Sequence, residues 1–561
     1  MDKIWLKNYP AGVPHDVQPE QYRSAAHLLE EAMRTHAANP FSVCMERWMS
    51  YRELDRLSTA LGAWLQGQGL EPGARVAIML PNIPQFAVTM AAVLRAGYTC
   101  VNVNPLYTAR ELEHQLKDSG STAIVILENF AHTLSEVIDR TGVQHVVMAS
   151  MGDLLGFWYG QWITFAVRHL AKMVPAYDLP LSQGRKVVSF KKALALGARR
   201  SLQPSPANLD SIAFLQYTGG TTGLSKGAVL THRNIVAATL QAEAWFTPAL
   251  AKMGDLSKAN NIAALPLYHI FALTLCLLAI RQGSHLTLIP NPRDIPKFVE
   301  TLKKRPFHML PAVNTLFNAL LQNAQFRALD FSHLCVSQAG GMAASEGTAH
   351  QWQKVTGHTM IEGWGMSETC AIGTNNPVNN TEFSGNIGLP LPGIDIAIKD
   401  DEGNSVPQGE SGEICIRGPN VTPGYYNQPE ENAKAFTQDG FMRTGDIGIM
   451  DAEGYTRIID RKKDMILVSG FNVFPNEIEN VISTCPGVLE CAAVGIADEK
   501  QGEAVKVFVV RSDPALTEDD VVRYCHDNLT GYKRPKYIEF RDDLPKTNVG
   551  KILRRELRTT P

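Results

Sequence analysis

A strand-like run, Phe214-Leu215-Gln216, leads into Tyr217-Thr218-Gly219-Gly220-Thr221-Thr222-Gly223-Leu224-Ser225-Lys226-Gly227. Glycines carry no Cβ, so successive backbone N–H groups can turn toward one anion, and the Thr and Ser hydroxyls and the Lys226 ammonium add donors and charge. That combination suits a triphosphate tail. It is not a Walker loop, which needs Gly-Lys-Ser/Thr: Ser225 precedes Lys226 and Gly227 follows it, so the Mg²⁺-binding hydroxyl after the lysine is missing.

Such a loop needs a strand to hang from, and the surrounding pattern supplies strands and helices in alternation. Residues 76–80 form a short apolar run after Glu71-Pro72-Gly73, 85–95 read as a helix closed by Gly97, and 98–103 are apolar again. Thr108 caps the next helix, with Glu111 completing a capping box, and 123–127 make another strand. The alternation predicts an α/β fold of parallel-type sheets covered by helices, and it returns over 211–370. After about 385 the chain changes to short Gly- and Pro-punctuated runs (394–398, 413–416), which suit a small β-rich subdomain. Behind Asp460-Arg461-Lys462-Lys463-Asp464, residues 475–482 read as a helix, 491–496 and 505–511 as strands, and Thr517 caps a helix through Leu529. The expected organisation is a large domain over 1–462, with the β-rich piece at about 385–462, and a small α+β domain over 463–561.

At 561 residues, 45% hydrophobic and 19% charged, the chain can bury a large core and is neither disordered nor collagen-like. Its 53 Lys+Arg against 56 Asp+Glu leave a net charge of −3, which argues against nucleic acid as a partner. Nine scattered cysteines show no C-x-x-C pair and no His at zinc-ligand spacing, so they read as buried thiols in a reducing compartment. The first residues lack the apolar run of a secretory signal, and a cytoplasmic location is expected. Residues 260–280 carry no Asp, Glu, Lys or Arg but are interrupted by Pro266, Tyr268 and His269; they read as a strand, a loop and a buried helix from about 271. Residues 154–167 are uncharged and aromatic, and Arg168, His169 and Lys172 follow them. The stretch is too short to span a bilayer, and two readings stay open: peripheral contact with the inner membrane surface, or a helix packed on its own protein.

The phosphate loop closely resembles that of the adenylate-forming superfamily, which includes acyl-CoA synthetases, luciferases and peptide-synthetase adenylation domains. The likeness continues in order along about residues 50–555. Leu265-Pro266-Leu267-Tyr268-His269 looks like the acyl-pocket motif, Gly363-Trp364-Gly365-Met366-Ser367-Glu368 like the Y-G-x-T-E element, and Thr444-Gly445-Asp446 like T-G-D. Arg461 to Asp464, Ser469-Gly470 and Pro545-Lys546-Thr547-Asn548-Val549-Gly550-Lys551 complete the set. Residues 439–463 resemble the signature of fatty acyl-CoA synthetases, and Asn102 to Thr108 and Asn291-Pro292-Arg293-Asp294 look like the bacterial long-chain enzymes. Phe441-Met442-Arg443 departs from the usual Trp-Leu-His/Lys, and Trp364 and Ser367 replace the commoner Tyr and Thr. These changes bear on substrate range more than on chemistry.

The resemblance implies ATP-dependent ligation of a long-chain fatty acid to coenzyme A through an acyl-adenylate. It gives Lys551 the charge between carboxylate and α-phosphate, Glu368 with Thr222 a Mg²⁺, and the loop 217–227 the triphosphate. Trp364 offers adenine a flat face, with Gly341, Gly365 and Ser367 alongside, and Gly340-Gly341-Met342 passes its backbone against adenine and acyl head. Asp446 suits the ribose hydroxyls, and Arg461 a hydroxyl or phosphate. Lys463 stands at the family's hinge, about which the last domain moves, and Ser469 and Gly470 at its CoA channel. For His269 two readings remain: a group beside the reacting carboxyl, or a satisfied core histidine. Ligation of medium-chain or aryl acids, or transfer to a carrier protein, is the alternative function, and a homodimer is a base-rate expectation.

Overall fold

The structure is a computed structural model that describes residues 3–180, 184–218, 225–469, 471–498, 501–547 and 550–558. It is α/β, with a large N-terminal part built on two mainly parallel sheets and a smaller C-terminal domain. The first sheet runs Lys186–Ser189, His145–Ala149, Ala123–Leu127, Arg75–Met79, Thr99–Asn102, Ile212–Thr218 and Lys226–Thr231. Only its last strand is antiparallel, because it returns directly from the phosphate loop. In the middle of the second sheet, Met360–Trp364, Val336–Ala339, Met309–Ala312, Asn260–Ala263, His285–Leu288 and Pro40–Cys44 run parallel.

Local sequence accounts for many boundaries. Thr108 and Glu111 form the expected reciprocal capping box on Ala109–Ser119, and Gly120 ends that helix at φ 59°. Ala123–Leu127 is buried throughout, as a continuous apolar run between helix layers must be. Pro84–Arg95 is buried along its whole length, which explains why its sequence is apolar on every face. Asn260–Ala263 and the buried helix Ile270–Gln282 account for the uncharged stretch at 260–280. Among the described residues, no helix is long and apolar enough to cross a membrane.

The β-rich piece is a four-stranded antiparallel sheet of Asp395–Lys399, Gly412–Arg417, Met442–Met450 and Thr456–Arg461. The substituted Phe441 keeps an aromatic role there, its ring lying 4.4 Å from the Arg417 guanidinium and 5.1 Å from the Lys399 ammonium. In the C-terminal domain Val488–Asp498 and Gly502–Arg511 form a long hairpin, flanked by Ile466–Val468 and Tyr537–Arg541 and packed by the helix Pro475–Ser483. Asp460 stitches this domain to the one before it: one carboxylate oxygen accepts from Arg461 N at 2.6 Å, the other from Asn476 N at 2.8 Å.

Candidate active site

Parallel strands end on one side of a sheet, and the loops leaving that side meet there. Here they meet around a cavity of about 900 Å³ whose walls come from both sheets, the β-rich piece and the end of the chain. Tyr217 and Thr218 enter from the first sheet, Trp364 from the second, Thr444 and Arg461 from the β-rich piece, and Lys463 and Lys551 from the end of the chain. The helices His232–Leu250 and Ile270–Gln282 contribute an apolar wall that includes Phe246, Thr274 and Leu275.

Lys551 comes from a turn held by its own backbone: Thr547 N donates to Lys551 O at 2.7 Å, and Lys551 N donates to Thr547 Oγ1 at 3.1 Å. Gly550 precedes it at φ 82°, and a Cβ there would stand 2.4 Å from Thr315 Oγ1, so glycine lets the turn press against the large domain. Burial, and then the Arg461 charge, pull the Lys551 ammonium down to about 8, with Asp446 opposing. His269 caps the helix Ile270–Gln282, its Nδ1 accepting from Phe271 N at 3.4 Å. Burial, with Lys551 adding to it, lowers His269 to about 4, so the imidazole is neutral at pH 7. His269 thus caps a core helix and also lines the cavity.

Asp446 is 2% exposed and stands behind the cavity surface. Its Oδ1 meets Arg461 Nε at 2.8 Å and its Oδ2 accepts from Trp364 Nε1 at 2.8 Å. The Trp that replaces the commoner Tyr thus has a polar task beside its flat face. Glu368 accepts from the Tyr425 hydroxyl at 2.8 Å, and burial raises its carboxyl above the ordinary range. Lys226 pairs with Glu431 and lies 5.8 Å from the centre of the Tyr425 ring.

Tyr217, Thr218, Ser225, Lys226, Gly341, Trp364, Gly365, Ser367, Glu368, Arg461, Lys463, His269 and Lys551 all line the one cavity. Gly227 pairs with Tyr217 on the sheet beside it. Ser469 lies outside the cavity, exposed in the turn after Ile466–Val468 at φ 51°. Gly219, Gly220, Thr221, Thr222, Gly223, Leu224 and Gly470 fall outside the described residues. Sequence reasoning missed Tyr425, Glu431, Gln338 and Asn375, which also line the cavity. The first two sit in a Gly- and Pro-rich stretch with no periodicity, and only their tertiary partners single them out.

A Mg²⁺ ion commonly takes one or two carboxylates together with substrate phosphates. Glu368, a buried carboxylate on the wall of this cavity, fits that donor set. Among the described residues there is no group of three or more His, Cys, Asp or Glu placed to hold an ion without a substrate's help.

Residues 29–426 match the AMP-binding enzyme family, and residues 477–551 match the AMP-binding enzyme C-terminal domain. Over 560 residues the chain is 50% identical to a long-chain-fatty-acid–CoA ligase of Escherichia coli O6:H1, covering 100% of this chain and 98% of that one. A ligase of the same name from Haemophilus influenzae is 46% identical over 561 residues, with the same coverage. Among solved structures, ATP-bound MatB from Rhodopseudomonas palustris superposes with a TM-score of 0.79 at 28% identity, covering 95% of this chain and 98% of that one.

Proposed function

The chain belongs to the AMP-binding enzyme family, among the fatty acyl-CoA synthetases of the adenylate-forming superfamily, and from that membership we propose that it ligates long-chain fatty acids to coenzyme A at the expense of ATP. In the first step a carboxylate oxygen bonds to the α-phosphorus of ATP and the bond to pyrophosphate breaks. In the second, the CoA sulfur bonds to the acyl carbon and AMP leaves.

The observation that carries this reading is the convergence of Lys551, His269, Arg461 and Lys226 on one cavity with an apolar wall. Carboxylate and triphosphate repel, so the first step needs fixed positive charge in line with the attack, where low dielectric strengthens it. Lys551 supplies it between carboxylate and α-phosphate. Lys226 and the loop 217–227 hold the β- and γ-phosphates. Trp364 orients Asp446, which has lone pairs beyond those given to Arg461 and Trp364 for the ribose hydroxyls. Neutral His269 beside Lys551 adds no charge to compete with the ammonium, and it shapes the space where the acyl head turns.

Glu368 and Thr222 would hold a Mg²⁺, which would supply charge to neutralise the phosphates. The domain over 463–561 turns about Lys463 between the two steps, withdrawing Lys551 and bringing Ser469 and Gly470 to the thiol. Ser469 stands outside the cavity while Lys551 is inside it, as such an exchange requires. Contact with a lipid surface belongs to the same proposal, and its location is argued below.

The test follows AMP release with ATP, Mg²⁺ and acids from acetate to oleate, plus 4-coumarate, each with and without CoA. CoA-dependent turnover highest with the C14 to C18 acids is the expected result. Turnover confined to short or aryl acids, or adenylate formed and never passed to CoA, overturns it.

A further inference from the structure

Of the large apolar side chains exposed among the described residues, eight of eighteen fall between positions 157 and 177. Most of the rest are scattered over the molecule, apart from the stacked pair Phe471 and Tyr532 in the C-terminal domain. Within the cluster Trp158 is 82% exposed, Trp162 56%, Phe165 48%, Leu170 62% and Met173 59%. Trp158, Trp162, Phe165 and His169 follow one another at helical spacing along a single ridge, with ring centres 6.0 Å apart for Trp162 and Phe165 and 5.0 Å for Phe165 and His169.

The segment is clamped rather than loose. The helix Phe157–Phe165 rests on the body through Gly160, where a Cβ would stand 2.1 Å from Gly152 O; the reverse substitution, at Gly152, would meet Gly160 O at 1.9 Å. Arg168 closes the far end on the buried Glu128 carboxylate, Nε to Oε2 at 2.8 Å. Asn129 donates to Met173 O at 3.0 Å. One face is thus packed on its own protein, and the aromatic ridge is turned outward by the same contacts. The packed reading of the sequence holds for one face, and the other face stays exposed.

We infer that this ridge is a lipid-docking surface that lays the helix flat in the headgroup layer of an anionic bilayer. Length is the first argument: nine α-helical residues and five more in a π turn reach about 20 Å, too short to span and suited to lying in plane. Charge is the second: residues 154–177 contain no Asp or Glu, and with Arg168 engaged by Glu128 it is Lys172 that stands beside the aromatics with no acid of the segment to offset it. The location adds a consequence. Glu128 and Ser150 follow directly on two parallel strands of the first sheet, so the ridge sits on the side of that sheet where Thr218 enters the cavity. Two to three strands lie between, so the ridge and the cavity are separated by about 15–20 Å along the sheet. An acid drawn from the bilayer would start near the site that the proposed ligation uses.

Sedimentation with vesicles tests the inference without ATP, CoA or acid, so its outcome is independent of the catalytic reading. The probes are phosphatidylglycerol-rich and pure phosphatidylcholine vesicles, with the whole protein and the variant W158S/W162S/F165S. Binding to the anionic vesicles that falls at least tenfold in the variant, with thermal midpoint and oligomeric state unchanged, is expected. A second variant, K172E, should weaken anionic binding severalfold and leave phosphatidylcholine binding alone. Absence of vesicle binding by the wild type, equal binding by the triple variant, or a dimer that the triple variant dissolves would each overturn the inference, the last in favour of a second copy of this chain.

Discussion

Lys551→Ala should separate the two proposed half-reactions. An ammonium about 4 Å from a charge developing on the α-phosphate, at an effective dielectric near 20, contributes about 4 kcal/mol, or roughly 10³ in rate. That is the expected loss in adenylate formation, followed as pyrophosphate release. Thioester formation from supplied acyl-adenylate should change less than about threefold, because Lys551 has no task in that step. The pH profile gives an independent reading. Burial beside Arg461 holds the ammonium at about 8 against an ordinary 10.5. In the unliganded enzyme it loses its charge as pH rises through 8, so the KM for ATP in the first step should climb above that pH, and phosphates that bind the charged form should delay the rise. The same shift carries a stability sign. Between pH 8 and 10.5 the unfolded chain binds the proton and the folded chain does not, so this lysine costs stability below pH 8, by about 3 kcal/mol at most, and the cost vanishes by 10.5. Lys551→Met should therefore raise the thermal midpoint at pH 7 and leave it unchanged near pH 10.5 while abolishing adenylation. Equal loss in both half-reactions, or a midpoint gain that ignores pH, would refute the reasoning.

Trp364→Phe keeps the flat face but removes the indole N–H that Asp446 accepts at 2.8 Å. A buried hydrogen bond to a charged group is worth about 1.5–3 kcal/mol, so the KM for ATP should rise between roughly tenfold and a hundredfold, with the order of preference among acids unchanged. Glu368→Gln retains an acceptor for the Tyr425 hydroxyl but no charge; a Mg²⁺ titration should show half-saturation shifted upward by tenfold or more, and an unchanged titration removes Glu368 from the metal. Gly388→Ala puts a Cβ 2.0 Å from the Asn375 carbonyl carbon at φ 85°. It should cost about 3 kcal/mol in urea unfolding, and a loss under 1 kcal/mol would mean the backbone there is not held as described.

Signals confined to a few residues were legible, and signals that needed the fold were not. The Thr108–Glu111 capping box and the strand at 123–127 appear where their side-chain chemistry puts them. The hairpin of Pro40–Cys44 and Arg47–Ser50 gave no such warning, because its turn puts Met45 at φ 48° and Glu46 at φ 64°, a conformation usually announced by Asn-Gly. The strand Val488–Asp498 outruns the apolar core at 491–496 because its half-exposed start, with Glu490, is held by pairing with Gly502–Arg511 rather than by burial. At the site, the motif residues were readable one by one. Their partners were not: Lys226 finds Glu431 across 205 residues, Asp446 finds Trp364 across 82 and Glu368 finds Tyr425 across 57.

Those partners imply an order of events. Five cations, Lys226, Arg443, Arg461, Lys463 and Lys551, line the cavity, and after burial the Arg461 and Lys463 charges help hold the Lys551 ammonium low. The carboxylates that offset this positive charge differ in how readily they can be exchanged. Lys226 and Glu431 are 35% and 41% exposed, so their pair is worth within about 1 kcal/mol, and a phosphate can displace Glu431 at little cost. Asp446 is 3% exposed at its side chain and is held by both Arg461 and Trp364, so taking Arg461 away would strand a buried charge. A triphosphate should therefore engage Lys226 first, while the Asp446–Arg461 pair stays intact as a fixed seat for the ribose. Lys551, paired with no carboxylate among the described residues, gains most from the phosphate charge that arrives between them, and nucleotide binding should pull its domain tighter against Thr315.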